Sequence, residues 1–201
     1  MADGALAYRS ALAGVATPDR IGRADARCGV SLRIVERVAI LSVIARKGQA
    51  GEVAARLSTI VGAPVEDRAA RWSSGTLSVI GTGPHQWLVV EQGGDAARLA
   101  RVRGDLSARA AVTDQGDGRV VIEVSGADAR RTLGKGVQID LHPDVFRVGH
   151  AASCAASHIG LVLSLIDDRP TFQIITAAST AESFWSWLSS SAGEFAAEVV
   201  R

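Results

Sequence analysis

The residues with the most chemical potential in this chain are the run Gly134-Lys135-Gly136 and the trio His150, Cys154 and His158, spaced four apart. A glycine-flanked lysine can end a phosphate-cradling loop, Gly-x-x-x-x-Gly-Lys-[Ser/Thr], in which backbone amides at a helix start hold phosphate and the hydroxyl holds Mg²⁺. Two requirements fail, because Ala129 stands where the first glycine should be and Gly136 where the hydroxyl should be. The order of elements is also reversed: Val120–Val124 reads as a strand, and Ser125 with Asp128 as the N-cap and N3 partner of a helix that precedes the glycines. The sequence therefore predicts a helix stop, with Gly134 as a left-handed cap and Lys135 complementing the negative end of the helix dipole.

The histidine-cysteine trio would share one face of a helix and invite a metal ion. Eight residues span about 26 Å along a strand and about 12 Å along a helix, too far for all three to reach one zinc. The apolar run Ile159–Ile166 favours a β-hairpin here instead. His85 and His142 adjoin Pro84 and Pro143 and read as loop residues, while Glu91, Asp114 and Asp117 stand beside glycines where carboxylates stabilise turns. No G-x-G-x-x-G follows a strand, and neither G-x-S-x-G nor C-x-x-C occurs. No catalytic, cofactor-binding or metal-ligating residue is assigned.

The elements around these residues read as α/β. Val38–Ala45 is an apolar strand, Lys47-Gly48 a break, and Val53, Leu57, Ile60 and Val61 lie at helical spacing. Leu77–Ile80 and Trp87–Val90 form a hairpin around Gly81-Thr-Gly-Pro84; Ala96, Leu99, Val102 and Leu106 mark a second helix, and Ala111–Thr113 a strand. The order is β-α-β-β-α-β, the ferredoxin-like one. It recurs: Arg37-Val-Ala-Ile is matched by Arg119-Val-Val-Ile, and the stretch from Pro84 by that from Pro170. Ser179 and Glu182 read as a capping box before a helix carrying Phe184, Trp187, Leu188 and Phe195. The expected organisation is an arm over residues 1–30 and one duplicated α/β domain over 31–201, with halves at about 37–116 and 118–197. The arm, with Leu6, Tyr8, Leu12 and Val15 among small residues, is expected to lie in another chain's groove. Trp72 sits in what reads as a polar loop, where its ring either packs across a hairpin or marks a protein interface.

Lys and Arg total 22 against 21 for Asp and Glu, so no single-sign field draws nucleic acid or an anionic membrane. The longest apolar runs fall short of the roughly 20 residues of a membrane helix. Two cysteines and no signal-like N-terminus imply the cytoplasm.

Gly83-Pro-His-Gln-Trp-Leu-Val-Val90, Val124-Ser-Gly-Ala-Asp-Ala129, Gly136-Val-Gln-Ile-Asp-Leu-His-Pro-Asp-Val-Phe146 and Ser183-Phe-Trp-Ser-Trp-Leu188 with Gly193-Glu-Phe195 together resemble the gamma subunit of heterotetrameric sarcosine oxidase. The resemblance runs from about Leu32 to Phe195. It implies a fold similar to the folate-binding part of the glycine-cleavage aminomethyltransferase. It also implies a non-catalytic assembly subunit whose partners are alpha, beta and delta chains. FAD, FMN, NAD and zinc are expected in those other subunits of a complex that demethylates sarcosine to glycine and passes the one-carbon unit to tetrahydrofolate. The alternative is a stand-alone folate-binding or aminomethyltransferase-like protein.

Overall fold

The computed structural model describes residues 10–22 and 27–200. Along these the chain forms β1 (Arg20–Ile21), β2 (Val30–Val35), β3 (Val38–Ala45), α1 (Ala50–Val61), β4 (Arg71–Ser74), β5 (Leu77–Gly83), β6 (Gln86–Gln92), α2 (Ala96–Leu106) and β7 (Ala110–Asp114). There follow β8 (Arg119–Ser125), α3 (Ala129–Leu133), β9 (Ala151–Ala156), β10 (Ile159–Asp167), β11 (Thr171–Ala177), α4 (Ala181–Gly193) and β12 (Ala197–Val200). One sheet has the order β4-β5-β6-β3-β7 and the other β1-β12-β2-β8-β11-β10-β9.

Period-two alternation along the strands sorts their apolar residues into layers. In the five-stranded sheet Leu41, Val43, Val79, Trp87 and Val89 pack with Val53 and Leu57 of α1 and Leu99 and Val102 of α2. In the seven-stranded sheet Leu32, Ile122, Val124, Leu163, Phe172 and Ile174 pack with Leu133 of α3 and Phe184, Trp185 and Leu188 of α4. The opposite faces meet in a third cluster, where Ile40, Ile80, Leu88 and Val90 face Val35, Val121, Val162 and Ile175. The architecture is therefore helices, sheet, sheet, helices. At one rim the sheets are stitched by an isolated bridge between Ala70 and His150 and by the Arg71 amide, which donates to the Gly149 carbonyl at 2.8 Å.

Each half is compatible with the expected β-α-β-β-α-β order, with two departures. The stretch around Trp72 is a strand, β4, not a loop: its alternation buries Ala70 and Trp72 in the core of the first half, and the Arg68 guanidinium lies 5.5 Å from the indole centroid. The ring packs against its own half. The arm also differs from its reading as a strip for another chain's groove. Leu12 is wholly buried in the core of the second half, β1 pairs with β12, and Val30-Ser-Leu-Arg-Ile-Val alternates as β2, whose Val30 and Leu32 fill the same core. Val15 is exposed, and Leu6 and Tyr8 lie outside the described residues.

β2 is inserted between β12, with which it runs parallel, and β8, with which it runs antiparallel. The insertion brings two backbones together at Gly126, whose φ is +113°; a Cβ there would overlap the Gly29 carbonyl oxygen. At the other end of the chain, α4 starts without the Ser179–Glu182 capping box. A 3₁₀ turn over Ala178–Thr180 leads into it, so Ser179 lies before the cap position, and Thr180, the cap residue, makes no side-chain cap bond.

Candidate functional site

The Gly-Lys-Gly run does follow a helix, but the helix begins at Ala129, with Asp128 rather than Ser125 at its cap. Gly134 is not left-handed: its φ of −62° and ψ of −12° continue the helical turn. The glycine demanded by its surroundings is Gly136, where a Cβ would stand 2.6 Å from the Trp187 ring. Lys135 meets the end of a different helix from the one expected. Its Nζ donates to the Ser191 carbonyl in the last turn of α4 at 2.6 Å and pairs with Glu194 at 2.7 Å, over the face of Phe195. The hydrogen bond and charge of Lys135 hold the Glu194 carboxyl below the usual range. This run ties α3 to α4.

The other polar residues singled out by sequence are dispersed. His85, at φ +62° in the turn after β5, faces the Asp67 carboxylate, which accepts from its Nδ1 at 2.6 Å and from its backbone amide at 2.6 Å. His142 Nδ1 lies 3.5 Å from Asp144. Glu91 is buried beneath Thr76 and Arg98, with the Thr76 hydroxyl and, at 3.2 Å, an Arg98 nitrogen donating to it. Asp114 accepts from the Gly116 amide at 2.9 Å, a turn contact as expected. Cys154 lies on β9 and His158 in the turn to β10, within the predicted hairpin; burial pushes the Cys154 thiol up to about 11. Among the described residues no group of three or more His, Cys, Asp or Glu side chains could hold a metal ion.

What sequence reasoning missed is a polar row across the inner face of the larger sheet. Cross-strand register aligns Arg33 on β2, Glu123 on β8, Gln173 on β11 and Ser164 on β10. Arg33 pairs with Glu123 at 2.6 Å, and the Gln173 amide nitrogen stands 3.5 Å from the other oxygen of Glu123. From the opposite sheet, Arg71 on β4 donates to the Gln173 amide oxygen at 2.7 Å. The row runs from a half-exposed guanidinium to Gln173 and Ser164, both fully buried. Desolvation lowers the Arg71 pKa to about 10, opposed by the charge of Glu123, so the group remains cationic at neutral pH. At its outer end Arg33 helps line a cleft of about 480 Å³ together with Ser10, Pro18, Val35, Gln92 and Val199. The only sequence signal of the row was a polar residue at one position in each of four apolar alternations, which becomes meaningful once register is known.

The row holds two charged arginines, one carboxylate and two neutral side chains. Its hydrogen bonds fix the two sheets against each other.

Two sheets packed back to back with helices outside define a fold that recurs in other solved proteins. The chain aligns with glycine cleavage system aminomethyltransferase T from Bartonella henselae at a TM-score of 0.65 and 14% identity, over 87% of this chain and 48% of that one, a likeness of fold alone. It aligns more fully with a chain of the heterotetrameric sarcosine oxidase from Corynebacterium sp. U-96 in complex with pyrrole 2-carboxylate: TM-score 0.79, 25% identity, 94% of this chain and 96% of that one. The sarcosine oxidase subunit gamma of Corynebacterium sp. (strain P-1) is 30% identical over 173 residues, 85% of this chain and 84% of the relative. The model of the sarcosine oxidase, gamma subunit family matches residues 48–194, and the chain belongs to that family.

Proposed function

We propose that this chain serves as the non-catalytic gamma subunit of a heterotetrameric sarcosine oxidase, assembled with alpha, beta and delta chains. The family match over residues 48–194 carries the reading. The alignment with the Corynebacterium chain, over 94% of this chain and 96% of that one, supports it. In this reading FAD, FMN, NAD and zinc are held by the partner subunits, and this chain contributes surface and shape. Its residues from 31 onward, joined by Leu12, β1 and Val30, act as a single duplicated domain. Among the described residues no helix is long and apolar enough to cross a membrane, and a cytoplasmic complex is part of the proposal.

Co-expression of a tagged chain with its alpha, beta and delta subunits tests this. The expected result is one complex that oxidises sarcosine and buries more than about 2,000 Å² of surface around this chain. The chain purified alone is expected to be colourless and inactive. A chain that stays apart from co-expressed partners, or that carries stoichiometric flavin by itself, would overturn the reading.

A further inference from the structure

The two halves link their first helix to the following strand by different routes. The first uses residues 62–70, between α1 and β4; the second uses residues 134–150, between α3 and β9. Connections longer than about 12–15 residues are uncommon in compact domains and are commonly functional.

The longer link is not slack. Val137, Leu141 and Phe146 are buried along it. Arg130 of α3 donates to the Leu141 carbonyl and, at 3.1 Å, to the Phe146 carbonyl, with its guanidinium 5.3 Å from the Phe172 ring centroid. Phe146 stacks on Phe172 and meets His150 edge-on. The amides of Val145 and Phe146 both donate to the His142 carbonyl, at 2.9 and 2.8 Å.

On this braced loop stand Val145 and Val148, 52% and 45% exposed, two of the four large apolar side chains so exposed among the described residues. Asp140, His142, Asp144 and Arg147 surround them, all exposed. An apolar centre within a polar rim is the anatomy of a protein interface, and a loop ordered before contact loses little further entropy on docking.

We propose that the Val145–Val148 loop docks into an apolar pocket of a partner subunit, with basic groups on the pocket's rim meeting Asp140 and Asp144. The proposal rests on the assembly reading above, which supplies the partner. An anionic membrane is the poorer match, because attraction to such a surface comes from clustered Lys and Arg, not from two carboxylates beside one arginine.

The test co-expresses tagged wild-type chain and the double variant Val145→Asp/Val148→Asp with the alpha, beta and delta subunits. Ile44→Asp, at an exposed apolar position on β3, serves as the comparison. The double variant should keep the thermal midpoint of the isolated chain and retain partner subunits at least about tenfold less well, because docking would bury two unpaired carboxylates in an apolar pocket. Ile44→Asp should retain them. If the aspartates lower the midpoint, Val145→Ser/Val148→Ser carries the same expectation without added charge. Full retention by the double variant, or equal loss by Ile44→Asp, overturns the docking site while leaving the assembly reading intact. If wild-type chain captures no subunit, the assembly reading fails first and the docking site with it.

Discussion

The two halves of this chain share a plan but differ in how they are completed. The first builds its sheet from consecutive residues, Val38 to Asp114, and covers it with helices of 12 and 11 residues. The second has one helix of 5 residues and one of 13, and borrows β1 and β2 from ahead of the first half. With β2 removed, β8 and β12 would lose their shared neighbour. The first half is locally determined and the second depends on the chain being nearly whole. The second also carries most of the polar row and the braced loop, so these features gather where the fold departs from its plan.

The strongest challenge to this contrast is Leu32→Asp, which places an unpaired carboxylate in the core of the second half. A loss of about 4 kcal/mol is expected. Hydrogen exchange read by mass spectrometry should show protection falling first in β2, β8 and β12, with β3, β5 and β6 outlasting them. Simultaneous loss across both sheets would show that the halves unfold as one unit.

A smaller effect probes the bond between the sheets. Arg71→Met leaves the buried Gln173 amide oxygen without its donor and Glu123 without one of its positive neighbours, at a cost of about 2–3 kcal/mol. Adding Gln173→Leu makes both partners apolar, so the double variant should lose less than the sum of the singles in urea denaturation. Strict additivity would mean that the row does not couple the sheets.

The smallest effect concerns the rim of the larger sheet. With its pKa raised to about 11 by burial, Cys154 carries about a hundredfold less thiolate at pH 8 than an ordinary thiol. In a Cys28→Ser background its alkylation should be correspondingly slow, rise with pH towards 11, and accelerate on denaturation. Fast alkylation of the folded chain at pH 8 would show that the rim is open.

The sequence disclosed the elements whose periodicity is strong. β3, α1, α2, β8, β10 and β11 stand where the alternation or the helical spacing put them. β4 was obscured because Arg71 and Ser73 made a half-buried edge strand look like a polar loop. β2 alternates clearly, but its short run sits behind a small-residue stretch, and only its partners, about ninety residues on and at the far end of the chain, give it meaning. Cap details failed for the same reason: whether Gly134 or Gly136 is constrained depends on Trp187, more than fifty residues away. Most of the polar row was illegible because its members lie on five strands and meet only through register and the packing of the two sheets.

The insertion of β2 has a further bearing on how the chain is made. At a synthesis rate of about 5–20 residues per second, this strand waits on the order of ten seconds for β8 and longer for β12. During that interval Val30-Ser-Leu-Arg-Ile-Val is an alternating strand with both edges open, the kind of segment that pairs with other nascent chains. A charge within such a run acts as a gatekeeper against aggregation. Arg33 is such a charge, so the residue that joins the polar row once Glu123 arrives is also the charge that interrupts the open apolar strand until it does.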